Sequence, residues 1–210
     1  MNQHNTKTII HIHGGIPMQN YQEYVKMIER WNYTPQGEGV TKWTKRYDEY
    51  LPKDQYTVIQ PDMPNKYYAD YYLWDVWFKK VIATVSSDVI LVGYSLGAVF
   101  LAQWLSQPEN ASLINIASLH LVAGPYDHSS DDEPLGNFGI ESNDNLSNIP
   151  VDQRNMYFYY SKDDPIVPYR EYMKYKERLP DATFLLFEDR GHFFQESFPE
   201  LFENMATPFE

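Results

Sequence analysis

Cysteine is absent from the 210-residue chain. That excludes a disulfide framework and thiolate chemistry, and it fits a reducing compartment. No stretch approaches 18 consecutive apolar residues, so no membrane-spanning helix is expected. The opening residues, Met1 to Ile10, carry no basic segment leading into a long apolar run. A secretory signal is therefore not expected and a cytoplasmic location is. Basic residues are few, 17 Lys and Arg against 29 Asp and Glu, for a formal net charge of −12. Such a surface repels phosphate backbones, which argues against a nucleic acid partner. Also missing are an H-E-x-x-H zinc motif, a G-x-G-x-x-G dinucleotide fingerprint and any internal repeat. No metal and no cofactor is expected on those grounds. His11 and His13 fall on one strand face, but Gly14-Gly15 follows where acidic ligands would be wanted.

What is present is enough apolar residue for one core, 43% of the chain, with 18 Tyr among the aromatics. A chain this long buries roughly 70% of its unfolded surface and needs no staple. Residues 1–210 read as a single domain, because no linker long and flexible enough to divide it is visible. Short β-prone runs at 8–13, 56–60, 88–92, 114–122, 156–160 and 183–187 alternate with helical patterns. Those patterns cover 21–31, 67–81, 98–106 and 168–178, with a last helix starting near Pro199. Trp43, Tyr47, Tyr50 and Leu51 allow a short helix within an otherwise turn-rich stretch punctuated by Pro35, Gly37 and Gly39. Residues 126–155, rich in Asp, Asn, Ser, Gly and Pro, read as a long polar loop that could partly cover a site. Six alternating strands predict an α/β fold, a three-layer α/β/α sandwich on a mainly parallel sheet without a large cap. Ligands of such sheets sit in the loops after the strands' carboxyl ends.

Those loops hold the chemistry. Gly93-Tyr94-Ser95-Leu96-Gly97 matches G-x-S-x-G, in which the serine occupies a sharp turn between strand and helix. The motif directly follows an apolar strand and opens an apolar helix, so Ser95 is the expected nucleophile rather than a simple helix cap. A serine hydroxyl needs a base. Of six His, His192 alone follows the last strand in a turn, and it is the expected base. The acid that holds its tautomer should lie between the two in the chain. Asp163 and Asp164 follow the fifth strand; Asp164, fixed by Pro165, is preferred over Asp163, with Asp127 after the fourth strand as reserve. Oxyanion donors are expected from the Leu96 N–H, which opens the helix, and the Gly15 N–H, where glycine lets the first loop approach closely. His13 is expected to hold that loop through its ring. Tyr94, Phe193 and Phe194 flank the motifs and are candidate linings of an acyl pocket, although Tyr94 and Leu96 would serve equally as core.

The set His13-Gly14-Gly15, Gly93-Tyr94-Ser95-Leu96-Gly97, Asp164-Pro165-Ile166-Val167-Pro168 and Gly191-His192-Phe193 resembles the α/β-hydrolase superfamily. More narrowly, with Asp62-Met63-Pro64-Asn65 leading into a Trp-containing helix, it is similar to the small, lidless serine hydrolases related to retinoblastoma-binding protein nine and its bacterial relatives. The resemblance runs from about residue 7 to 205. It implies Ser95, Asp164 and His192 as a triad, Leu96 and Gly15 as oxyanion donors, and a sheet lacking the first two strands of larger members. The expected function is carboxylesterase-like cleavage of a small ester through an acyl-enzyme, thioesters and amides being less favoured. A non-catalytic binding or scaffold protein on this fold, or an acyltransferase using the same triad, are the alternatives. Oligomeric state is not written in the sequence.

Overall fold

The computed structural model describes residues 6–18, 20–32, 42–86, 88–128 and 135–206. His4, the turns at Pro35, Gly37 and Gly39, and residues 129–134 of the long loop lie outside them. The strands are β1 (Lys7–Ile12), β2 (Tyr56–Ile59), β3 (Val89–Tyr94), β4 (Ile116–Val122), β5 (Met156–Ser161) and β6 (Thr183–Phe187). The helices are α1 (Tyr21–Arg30), α2 (Tyr47–Tyr50), α3 (Tyr71–Ile82), α4 (Leu96–Ser106), α5 (Pro108–Ala111), α6 (Glu171–Arg178) and α7 (Pro199–Ala206). One sheet in the order β2-β1-β3-β4-β5-β6 contains all six strands, and every pair is parallel. Helices cover both faces, giving the compact three-layer sandwich. Strand order reverses between β1 and β3, so the loops leaving those two strands diverge and open a crevice.

Alternation along the strands divides the core in two. Ile10 and Ile12 of β1 join Leu91, Leu119, Leu121 and Phe158 beneath α3, α4 and α6, where Trp74, Phe78, Phe100, Trp104 and Tyr175 pack. Ile9, Ile90, Val92 and Tyr159 face the opposite layer, formed by Trp43, Tyr47, Leu51 and the α7 residues Leu201, Phe202 and Met205. Helix α4 is apolar almost all round and ten of its eleven residues are buried, so it packs as a core element.

One expectation needs correction. The helical pattern from Tyr67 does not start a helix there, because α3 begins at Tyr71 behind the cap Asp70, whose carboxylate accepts the Leu73 N–H. The preceding residues are held off helical geometry by backbone bonds to the first loop, Ile16 N–H to the Lys66 carbonyl and Ala69 N–H to the Ile16 carbonyl. The long segment after β4 is less polar in effect than its composition. Leu135, Phe138, Ile140, Leu146 and Ile149 are buried in the core under α4, and short 3-10 turns at Leu146–Asn148 and Gln153–Asn155 carry the chain back to β5. Five apolar anchors among turn residues are enough to seat it. Its polar side chains satisfy neighbouring backbone, as when the Asn148 amide donates to the Ser106 carbonyl.

Candidate active site

The β3–α4 turn explains the two glycines of G-x-S-x-G. A Cβ at Gly97 would lie 2.3 Å from the Ile12 carbonyl oxygen, and one at Gly93 would lie 2.6 Å from the Ala98 Cα. At both positions backbone approaches backbone too closely for a side chain to fit. Between them Ser95 sits at φ 54°, ψ −121°, left-handed backbone that costs a non-glycine residue about 1 kcal/mol or more. It is pinned there, its N–H donating to the Val122 carbonyl and its own carbonyl accepting from Ala98 N–H, both at 2.8 Å. Its hydroxyl makes no cap bond to α4. Instead Ser95 Oγ lies 3.0 Å from His192 Nε2.

On the far side of the ring, His192 Nδ1 is 2.8 Å from Asp164 Oδ2 and 3.1 Å from Oδ1. Both side chains are almost wholly buried, 4% and 1% exposed. Asp164 Oδ1 also accepts the Ile166 and Val167 N–H groups at 2.8 and 3.0 Å, a turn set by Pro165 that fixes the carboxylate's plane. An acceptor at Nδ1 keeps that nitrogen protonated and leaves the Nε2 lone pair toward the hydroxyl. Neither other aspartate meets the ring. Asp163 accepts from Gly191 N–H at 2.8 Å and from the Ser161 hydroxyl at 2.6 Å, while the Ser161 oxygen accepts Arg190 N–H. It therefore anchors the turn that presents His192. Asp127 is ion-paired to Lys174 at 2.7 Å.

The first loop closes over the same point. A Cβ at Gly14 would stand 3.1 Å from Ser95 Cβ, and Gly15 lies against Leu96 and Trp74. The His13 ring ties this loop down, Nδ1–H donating to the Gly14 carbonyl at 2.6 Å and Nε2 accepting Met63 N–H at 2.9 Å. Burial lowers its pKa, as the accepting role of Nε2 requires. Leu96 N–H, at the first position of α4, has no acceptor within its helix. The Ile16 N–H is already taken by the Lys66 carbonyl; the Leu96 and Gly15 N–H groups stay candidate donors.

Of the three aromatic residues proposed as lining, Tyr94 and Phe194 do border the cleft. Tyr94 does more, its hydroxyl donating to the His192 carbonyl at 2.7 Å; burial pushes its pKa up, so it stays a donor. Phe193 is no lining residue. It is fully buried against Phe187 and Phe198, because its left-handed backbone, φ 53°, turns it into the core after His192. Its carbonyl accepts the Trp43 indole N–H at 2.9 Å. Trp43 is thus part of the frame for the histidine turn from 150 positions away, and no local sequence signal couples the two.

The cleft holding Ser95 and His192 has a volume of about 860 Å³, within the range of small-molecule sites. None of the described residues of 126–155 borders it. Among the described residues no cluster of three or more His, Asp or Glu is placed to hold a metal ion, and no helix is long and apolar enough to cross a membrane.

Residues 34–206 match the family described as serine hydrolase. Serine hydrolase RBBP9 of Rattus norvegicus is 26% identical over 170 residues, which is 79% of this chain and 86% of that one. Among solved structures, the ydeN gene product of B. subtilis superposes with a TM-score of 0.70 at 21% identity, covering 96% of this chain and 97% of its own. The thioesterase domain from the curacin biosynthetic pathway gives a TM-score of 0.58 at 12% identity, covering 97% and 92%. The latter two likenesses concern the fold, which is that of the α/β-hydrolases. With the family match spanning most of its length, the chain belongs to the serine hydrolase family.

Proposed function

We propose that the protein hydrolyses a small carboxylic ester through an acyl-enzyme on Ser95. The observation that carries this reading is the continuous relay from Ser95 Oγ through the His192 ring to Asp164, at 3.0 and 2.8 Å. His192 Nε2 takes the hydroxyl proton as Oγ bonds to the carbonyl carbon. The oxyanion is held by the Leu96 and Gly15 N–H groups. As the carbon to alkoxide bond breaks, His192 hands its proton to the leaving alcohol. A water molecule then gives its proton to Nε2 and bonds to the acyl carbon. The carbon to Oγ bond breaks, the proton returns to Ser95, and the acid departs. Asp164 keeps its charge throughout and stabilises the imidazolium. The size of the cleft and the absence of a cap over it, among the described residues, favour a small ester.

The test is labelling by a fluorophosphonate together with turnover of 4-nitrophenyl acetate. Both should vanish in Ser95→Ala while the variant stays folded. Wild-type protein that is folded and neither labelled nor active would refute the reading and favour a binding role. Product analysis with added alcohols separates hydrolysis from acyl transfer.

A further inference from the structure

The chain carries far more acid than base, yet the walls of the Ser95 cleft reverse that balance. Lys42, Lys45 and Lys66 border it, and Asp62 is the one carboxylate among the described residues that does. Asp62 lies 4.0 Å from Lys66 Nζ and 3.7 Å from His13 Nε2, so it offsets Lys66 and leaves the other two. Among the described residues neither Lys42 nor Lys45 has an ion-pair partner. Lys42 Nζ stands 4.1 Å from the centroid of the Phe194 ring, and Phe194 packs edge-on against the His192 ring with centroids 5.3 Å apart. The cation is therefore one aromatic ring removed from the proposed base. Cation–π contact of this kind holds an ammonium in place without neutralising it. Lys45 is near enough to His11 and His13 that its charge adds to what keeps their rings unprotonated, after burial itself.

Below the lysines the cleft reaches His11. Its Nδ1 lies 3.0 Å from Gln60 Nε2, and the orientation of that amide is fixed because Nε2 also donates to the Thr44 carbonyl at 2.6 Å. Nδ1 is therefore an acceptor, and the neutral ring carries its proton on Nε2. That Nε2–H is buried without a partner among the described residues, a state proteins rarely leave uncompensated. Among the described residues, two ammonium groups without an ion-pair partner thus border one cleft of an acidic protein, and their field favours negative charge there.

We infer that the cleft selects esters bearing a second, anionic group, with Lys42 and Lys45 as the residues that determine this preference. The inference rests on the reading of Ser95 as nucleophile. The shared chemistry is a carboxylate or a phosphate on the substrate, on either the alcohol or the acyl side of the ester. The hydrolysis is the one written above; the anionic group is bound and does not react.

The experiment compares charged esters with neutral partners of similar shape: 4-acetoxybenzoate against 4-acetoxybenzamide, 4-acetoxyphenyl phosphate against 4-acetoxyphenyl sulfamate, and monomethyl adipate against its terminal amide, methyl 6-amino-6-oxohexanoate. The readout is the ratio of kcat/KM, charged over neutral. Two surface-type ion pairs support a ratio of about tenfold at low ionic strength in at least one pair, falling toward one in 0.5 M NaCl. The ratio should also collapse in the Lys42→Gln/Lys45→Gln double variant and persist in Lys80→Gln, a lysine away from the cleft. Preference for the phosphate ester alone, or for the carboxylates alone, names the anion. If neutral esters are cleaved in a Ser95-dependent way but the ratio is one or less, or if it survives the double variant, the inference is overturned and the proposed hydrolysis stands. If no ester is cleaved and Ser95 is not labelled, the reading of the site fails and this inference with it.

Discussion

Changing Asp164 to Asn swaps a carboxylate for an amide of nearly the same shape, and the structure says which contacts survive. Asp164 Oδ1, which accepts the Ile166 and Val167 N–H groups at 2.8 and 3.0 Å, is retained as the amide oxygen. The fold of the turn should therefore hold. The atom replaced is Oδ2, 2.8 Å from His192 Nδ1. An NH₂ group there donates, so its hydrogens oppose Nδ1–H at the shorter contact while Oδ1, at 3.1 Å and already shared with two backbone N–H groups, is the weaker acceptor left; the ring therefore favours the tautomer with its proton on Nε2, the nitrogen that faces Ser95 at 3.0 Å. A protonated Nε2 cannot take the hydroxyl proton, and the imidazolium also loses its buried counter-charge. Loss of this function lowers kcat by about 10⁴ in serine triads, or about 5.5 kcal/mol in the barrier. The assay is ester turnover with active-site labelling rate, beside circular dichroism and thermal unfolding of the same samples. A folded Asp164→Asn variant retaining more than a tenth of wild-type kcat would refute the tautomer argument and the role given to this carboxylate.

Asp163→Ala removes the acceptor for Gly191 N–H and the Ser161 hydroxyl; kcat/KM should fall about tenfold with little change in Tm, and an unchanged kcat/KM would mean the turn holds itself. Gly97→Ala drives a methyl to 2.3 Å from the Ile12 carbonyl oxygen, and urea unfolding should show a loss of roughly 2–3 kcal/mol; a loss below 0.5 kcal/mol would show that the β1 and β3 loops yield easily. His11 and His120 are held down to about 3 by burial, whereas in the unfolded chain each binds a proton below about 6.5. The unfolded state thus takes up more protons as pH falls, so stability is full above pH 6.5 and declines toward pH 3. The slope approaches about 1.4 kcal/mol per pH unit for each ring, and unfolding free energies that stay flat from pH 6.5 to 5 would contradict it. Tyr94→Phe, which deletes the 2.7 Å bond to the His192 carbonyl, should lower kcat several-fold and leave the KM of a neutral ester nearly unchanged; equal kcat would assign Tyr94 to packing alone.

Much of this molecule was legible one residue after another. Strand and helix periods, the glycines bracketing Ser95 and the post-strand turns at Asp164 and His192 are local patterns, because each reflects backbone geometry or the alternation of buried faces within a few residues. Their order along the chain, read with the rule that parallel sheets gather ligands at their carboxyl edge, was enough to nominate three distant side chains. What the tertiary structure alone decided are relations between segments. Pro165 already favours Asp164 over Asp163 in the sequence, but what the neighbour does instead, holding Gly191 N–H and the Ser161 hydroxyl, is set by where the turn points each carboxylate. Phe193 went to the core and Phe194 to the cleft because a left-handed residue reverses the chain between His192 and Phe194, against an indole 150 positions earlier. That Leu135, Phe138, Ile140, Leu146 and Ile149 of the long loop share one buried side is not legible in sequence because they have no period; only the packing beneath α4 gives them a common side. The concentration of lysines around Ser95 is likewise invisible in a chain of net charge −12, since a local field depends on where charges are brought together in space and not on their sum.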